Sequence, residues 1–118
     1  MARISYLAVL LVLAAHIMVK QGEASICSEP GVQRIGAECN SFTGGQKPEP
    51  SGECCNAYRA VRSQLKTKAE RREYCSCAHQ VISQYPDSAA RIPRIDSLPE
   101  KCGVPFLFSG DPKFDCTT

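Results

Sequence analysis

Cysteine dominates the chemistry open to this sequence: it occupies eight of 118 positions, four of them in two doublets, Cys54-Cys55 and Cys75-Ser76-Cys77, nineteen residues apart. Thiols in such a pattern can ligate a metal, attack a substrate or pair as disulfides. A metal site calls for histidine or several free thiolates held together, and His79 is the one histidine near the doublets. A nucleophilic thiol needs a base that is itself held by a third group, and no such partner for His79 is visible in the sequence. His79 therefore reads as a surface or partly packed side chain, the chain as no enzyme, and its cofactor and metal complement as none. Pairing remains. Adjacent cysteines seldom bridge each other, and side chains at i and i+2 on a helix point about 200° apart, so each doublet reaches two different partners. Eight cysteines allow ~105 pairings, and spacing alone selects none of them.

The other chemistry-bearing cluster is basic. Arg59, Arg62, Lys66, Lys68, Arg71 and Arg72 crowd between the doublets, with only Glu70 and Glu73 against them. A guanidinium at a cavity mouth can grip a carboxylate or phosphate through two parallel hydrogen bonds, and Arg71 is the residue we single out for that role. The plainer alternative is that Arg71 pairs with a nearby acid and covers apolar surface with its stem. Arg59, Arg62 and Lys66 read as a solvated helix face, or as a stripe for transient contact with an anionic membrane surface.

The first residues fix the redox setting. Arg3 precedes an apolar run from Tyr6 to Ala15, and Gly22-Glu23-Ala24 offers small residues for cleavage. Residues 1–24 read as a secretory signal and 25–118 as one domain. A membrane anchor would need ~20 consecutive apolar residues, but His16 and Lys20 interrupt the run. Secretion favours disulfides over free thiols or zinc, and all eight cysteines lie beyond the cleavage point. Cleavage leaves twelve Lys and Arg against eleven Asp and Glu. So small an excess argues against nucleic acid as a partner. No Asn-x-Ser/Thr sequon occurs.

The elements that must position these residues are helical. Cys27 to Cys39 is predicted as a first helix, weakened by Gly36; Asn40 to Gly52, with Gly44-Gly45 and Pro48-Glu49-Pro50, is predicted as a loop. Ser51 suits an N-cap for a second helix, in which Cys54, Tyr58, Val61 and Leu65 share one face. Thr67-Lys68-Ala69-Glu70 spells a capping box. The third helix follows, with Tyr74, Ala78, Val81, Ile82 and Tyr85 on its buried face, ending at Pro86. A short fourth helix is predicted over Ser88 to Ile95, interrupted at Pro93. From Pro99 the chain reads as an irregular tail pinned by Cys102 and Cys116. The fold class read from these elements is all-α, a disulfide-stapled helical bundle with an irregular C-terminal tail.

The cysteine order C…C…CC…CxC…C…C resembles the eight-cysteine helical superfamily of plants. Several further features resemble its type 1 non-specific lipid transfer branch. These are the nineteen-residue gap from Cys55 to Cys75, the thirteen-residue gap from Cys102 to Cys116, Thr67-Lys68-Ala69-Glu70-Arg71, and Ser97-Leu98-Pro99-Glu100-Lys101-Cys102-Gly103-Val104. The resemblance implies a disulfide-stapled four-helix bundle with an irregular C-terminal tail around an apolar cavity that takes one or two acyl chains, and bridges Cys27 with Cys77, Cys39 with Cys54, Cys55 with Cys102, and Cys75 with Cys116. The type 2 branch exchanges the partners of Cys75 and Cys77 around an apolar residue, and polar Ser76 favours the type 1 pairing. The chain also departs from the branch. Its first gap has eleven residues, including Pro30 and Gly31, which implies a displaced or shortened first helix. Phe108 stands where the branch has tyrosine, so a hydroxyl able to reach a lipid head group is missing.

The function expected is extracellular binding and transfer of lipids by a secreted monomer, with fatty acids, lysolipids and phospholipids as partners. The expected lining is Val61, Leu65, Ala78, Val81, Ile82, Ile95, Leu98, Val104, Phe106 and Phe108, with Arg71 orienting the anionic end. Each buried CH₂ contributes ~0.8 kcal/mol, so chain length outweighs head-group contacts. The alternative on the same scaffold is a plant defence protein, antimicrobial or a hydrolase inhibitor. An inhibitor would present the loop Gly44 to Ser51, which has no recognisable reactive sequence. A storage role is disfavoured by the absence of glutamine-rich composition.

Overall fold

The computed structural model describes residues 26–117, so the signal peptide read over residues 1–24 lies outside the described residues. A single 3-10 turn, Ile26–Ser28, leads into four helices: α1 (Pro30–Thr43), α2 (Gly52–Gln64), α3 (Lys68–Ser83) and α4 (Ser88–Cys102). The remainder is coil, and no described helix is long and apolar enough to cross a membrane.

Local chemistry sets the helix starts. Pro30 opens α1, where a missing N–H costs nothing. Ser51 caps α2 by accepting from the amide of Cys54 at 3.1 Å. At α3 the box is reciprocal: Glu70 N donates to Thr67 Oγ1 at 3.1 Å and Thr67 N donates to Glu70 Oε1 at 3.0 Å. Gly103 ends α4 at φ +73°, with Val104 N bonded to Pro99 O and Gly103 N to Glu100 O, the paired bonds of a Schellman turn.

Two boundaries differ from the sequence reading. The first helix is displaced but not shortened: it starts three residues after Cys27 and runs past Cys39 to Thr43, into the segment expected as loop. Phe42, 4% exposed, supplies the reason, because burying that ring fixes the last turn. The fourth helix does not break at Pro93 or give way to coil at Pro99. It continues through both to Cys102. A proline inside a helix costs about 3 kcal/mol, and burial of Leu98, Pro99 and Cys102 in its last turn, together with the bridge to Cys55, offsets that cost.

Four disulfides hold the helices: Cys27–Cys77, Cys39–Cys54, Cys55–Cys102 and Cys75–Cys116. They are the four pairs that the resemblance implies. Around them the apolar side chains form two small cores. One gathers Cys39, Phe42, Cys54, Cys55, Leu98 and Cys102. The other gathers Cys27, Val61, Leu65 and Tyr74, with Leu107 and Phe108 of the tail against it.

Three arginines bond backbone carbonyls at the end of α4 and along the coil tail. Arg59 Nη1 donates to Cys102 O at 2.7 Å, Arg62 Nη2 to Pro105 O at 2.6 Å, and Arg72 Nη2 to Thr117 O at 2.6 Å. Arg59 stays exposed and Arg62 half-buried, as a solvated face would be, and both are in addition engaged with backbone carbonyls. Asp96 adds a further tie, accepting from Ser109 Oγ at 2.6 Å and Gly110 N at 2.7 Å. The loop after α1 is also held down: Glu49 pairs with Lys101 at 2.7 Å.

Candidate functional site

Between the two cores lies an apolar cavity of about 420 Å³, inside the ~300–1,000 Å³ range of small-molecule sites. Its walls come from every helix and the tail. From α1 come Val32, Gln33, Ile35, Gly36, Ala37, Cys39 and Thr43, and from α2 Tyr58. From α3 come Tyr74, Ala78, Val81 and Ile82, with Tyr85 just beyond its end. Arg91, Ile95 and Leu98 of α4 and Phe108 of the tail complete it, with Cys27 beside α1. Tyr74 and Ile82 are eight residues apart, so the void follows α3 for ~12 Å at 1.5 Å per residue.

Two ends can be told apart. At one, Cys27, Tyr74 and Phe108 meet the tail-side core; Tyr74 and Phe108 pack edge to face with centroids 5.5 Å apart. At the other, Arg91 lies over the Tyr85 ring at 4.2 Å and donates to Thr43 Oγ1 at 3.3 Å. Burial pushes the phenols of Tyr58 and Tyr74 above the ordinary tyrosine value, so both stay neutral hydroxyls at physiological pH.

Of the expected lining residues, Ala78, Val81, Ile82, Ile95, Leu98 and Phe108 line this cavity. Val81 nonetheless keeps 46% of its surface exposed. Val61 and Leu65 are packed inside the tail-side core, away from the lining. Val104 and Phe106 lie in the tail outside it, and Phe106, 57% exposed, meets only the edge of Phe114 among its aromatic contacts. Arg71 lines a second, smaller pocket of about 120 Å³, together with Lys68, Arg72, Asp115, Leu107, Phe108, Phe114 and the Cys75–Cys116 bridge. Arg71 Nη1 donates to Lys66 O at 3.2 Å. Phe108 borders both spaces.

The sequence reading left Arg91, Tyr58 and the α1 residues out of the lining. Periodicity could have found the α1 face, since Val32, Ile35, Gly36 and Cys39 recur at helical spacing. Arg91 had no such signal, because its place depends on α1 running past Cys39 to bring Asn40 and Thr43 against it.

His79 is buried, which corrects its reading as a surface or partly packed side chain. Its Nε2 lies 2.8 Å from Ser109 O; a carbonyl only accepts, so Nε2 carries the proton. With Cys75 and Cys116 it forms a group whose ligand atoms lie within 4.8 Å of one another. Both sulfurs are committed to a disulfide, so they are not available as thiolate ligands.

Comparison with known proteins sets this geometry in context. A family profile described as protease inhibitor/seed storage/LTP matches residues 18–116. The chain is 33% identical to non-specific lipid-transfer protein 6 of Arabidopsis thaliana, over 93% of this chain and 92% of that protein. It is 30% identical to the non-specific lipid-transfer protein of Prunus avium, over 95% and 92% of the two chains. Among solved structures, post-translationally modified barley LTP1 superposes with a TM-score of 0.61 at 25% identity, covering 73% of this chain and 94% of its own. Barley non-specific lipid transfer protein 1 in complex with L-α-lysophosphatidylcholine gives 0.59 at 26% identity, covering 72% and 93%.

Proposed function

The chain belongs to the protease inhibitor, seed storage and lipid transfer protein family, within its non-specific lipid transfer branch, and from that premise we propose that it binds and transfers lipids outside the cell. The observation that carries this reading is the 420 Å³ mostly apolar cavity that lies between the two cores. A core that collapsed on itself would be more stable. Four bridges let this one stay open, because each contributes about 2 to 4 kcal/mol irrespective of what fills the interior.

A single acyl chain partitions from water into the cavity, gaining ~0.8 kcal/mol per CH₂. No bond is made or broken, so the protein works as a carrier, as a monomer, secreted with its disulfides formed. Arg71, with Lys68 and Arg72 in the smaller pocket, meets the phosphate of a phospholipid head too bulky to enter the cavity. Membrane contact is brief and serves loading and release.

Displacement of a fluorescent fatty acid from the oxidised protein tests the reading. Long-chain lipids should displace the probe at micromolar concentration, with affinity rising with chain length; no displacement by any chain length would sink it. Arg71→Ala should weaken lysophosphatidylglycerol more than a neutral monoacylglycerol of the same chain, and equal loss would remove the head-group role.

A further inference from the structure

Arg91 is the single charged residue among those that line the large cavity. Its side chain is 13% exposed, and its polar edge is partly engaged. Nε donates to Asp87 Oδ1 at 2.7 Å, while Nη1 donates to Asn40 Oδ1 at 3.0 Å and Thr43 Oγ1 at 3.3 Å. The guanidinium face rests on the Tyr85 ring. These contacts fix its plane, and Nη2, which lies beside Gly44, makes no further hydrogen bond among the described residues. A positioned cation with a donor to spare, at one end of a mostly apolar cavity, can receive an anion.

We propose that Arg91 anchors the carboxylate of a free fatty acid at the end of the cavity opposite Phe108, the acyl chain running from Arg91 past Ala78 and Ile82 toward the tail. This rests on the lipid-binding reading and adds the ligand class and its direction. A carboxylate is small enough for a site so little exposed, whereas a phosphocholine or phosphoglycerol head is not. The cavity therefore sorts lipids by head size. Free fatty acids enter head first to Arg91, and lysophospholipids enter tail first with the head left near Arg71. Asp87 is the competitor, since its carboxylate already holds one edge of the guanidinium.

The test compares palmitate with hexadecanol, the same chain with a neutral head, on wild type, Arg91→Gln, Asp87→Asn and Arg71→Ala, by displacement of a fluorescent probe from the oxidised protein. Arg91→Gln should weaken palmitate about tenfold, as expected for losing a charge-assisted pair, while leaving hexadecanol within about twofold. Asp87→Asn removes the competing carboxylate and should strengthen palmitate relative to hexadecanol. Arg71→Ala should leave the ratio of the two unchanged. A palmitate-to-hexadecanol ratio insensitive to Arg91→Gln overturns the anchor, as does a ratio that shifts with Arg71→Ala instead. Equal loss of both ligands in Arg91→Gln also overturns it and makes Arg91 a strut between α1 and α4. If wild type binds neither ligand, the lipid reading and the anchor fall together, an outcome distinct from the others.

Discussion

Thr67 and Glu70 form one of the few contacts readable from four consecutive letters and present atom for atom in the fold. The hydrogen bonds from the Thr67 hydroxyl and amide hold the Glu70 carboxyl below its ordinary value. A carboxyl depressed by folding adds stability above its unfolded pKa and loses it as pH falls through the folded one. Asp87, held down by the Arg91 hydrogen bond, and Asp115, held down by Thr117, act in the same direction. Stability should therefore decline on acidification below the usual carboxylate range. Glu70→Gln keeps an acceptor oxygen but cannot titrate, so its melting temperature should fall less steeply with acid than that of wild type. Thr67→Ala removes the cap and should cost about 1 kcal/mol in urea unfolding near neutral pH. Arg91 is the opposite case. Its sequence neighbours say nothing of a cavity, and its role comes from Thr43, forty-eight positions away.

The starts of α2, α3 and α4 were legible; the start of α1 and the ends of α1 and α4 were not. Starts at Ser51 and Thr67 are written in side chains that bond their own backbone, a local matter. The ends at Thr43 and Cys102 depend on Phe42, Leu98 and Pro99 being buried against other elements, which no short window contains. Gly103 is an exception, since its left-handed conformation marks the end of α4 locally. Gly103→Val should destabilise the protein by at least about 1 to 2 kcal/mol, the cost of a side chain at that φ, read as a lowered urea midpoint. On α3, Ala78 faces the void. Ala78→Phe should fill it, leaving the helical circular dichroism intact while displacement of a fluorescent fatty acid weakens about tenfold or more. Unchanged binding would place the ligand elsewhere.

Taken whole, the molecule is two small cores held apart by covalent staples, with a tail as the fourth wall. That tail is tied by Arg62 and Arg72 to its carbonyls, by Arg59 to the end of α4 from which it leaves, by Asp96 and His79 around Ser109, and by the Cys75–Cys116 bridge. Replacing Cys75 and Cys116 together by alanine opens a 41-residue closure. It should cost about 2 to 4 kcal/mol and weaken lipid binding as well, since Phe108 lines the cavity from the tail. A variant that loses stability yet binds lipid as wild type would show that the tail is dispensable as a wall.

The helical class, the caps, the oxidised state and the positions of the bridges' eight ends were legible in the amino acids alone, because each follows from local spacing or from covalent chemistry. The sequence also placed Ala78, Ile82 and Ile95 on faces that turn inward, since a helical period marks a face wherever the helix goes. Which inward faces meet in contact and which line a cavity is set by how the helices pack in the assembled fold. Val61 and Leu65 share the apolar character of Ile82 and Ile95, yet the first pair fills a core and the second lines the cavity. The difference lies in the separation the disulfides impose between helices, and that distance is a property of the assembled chain.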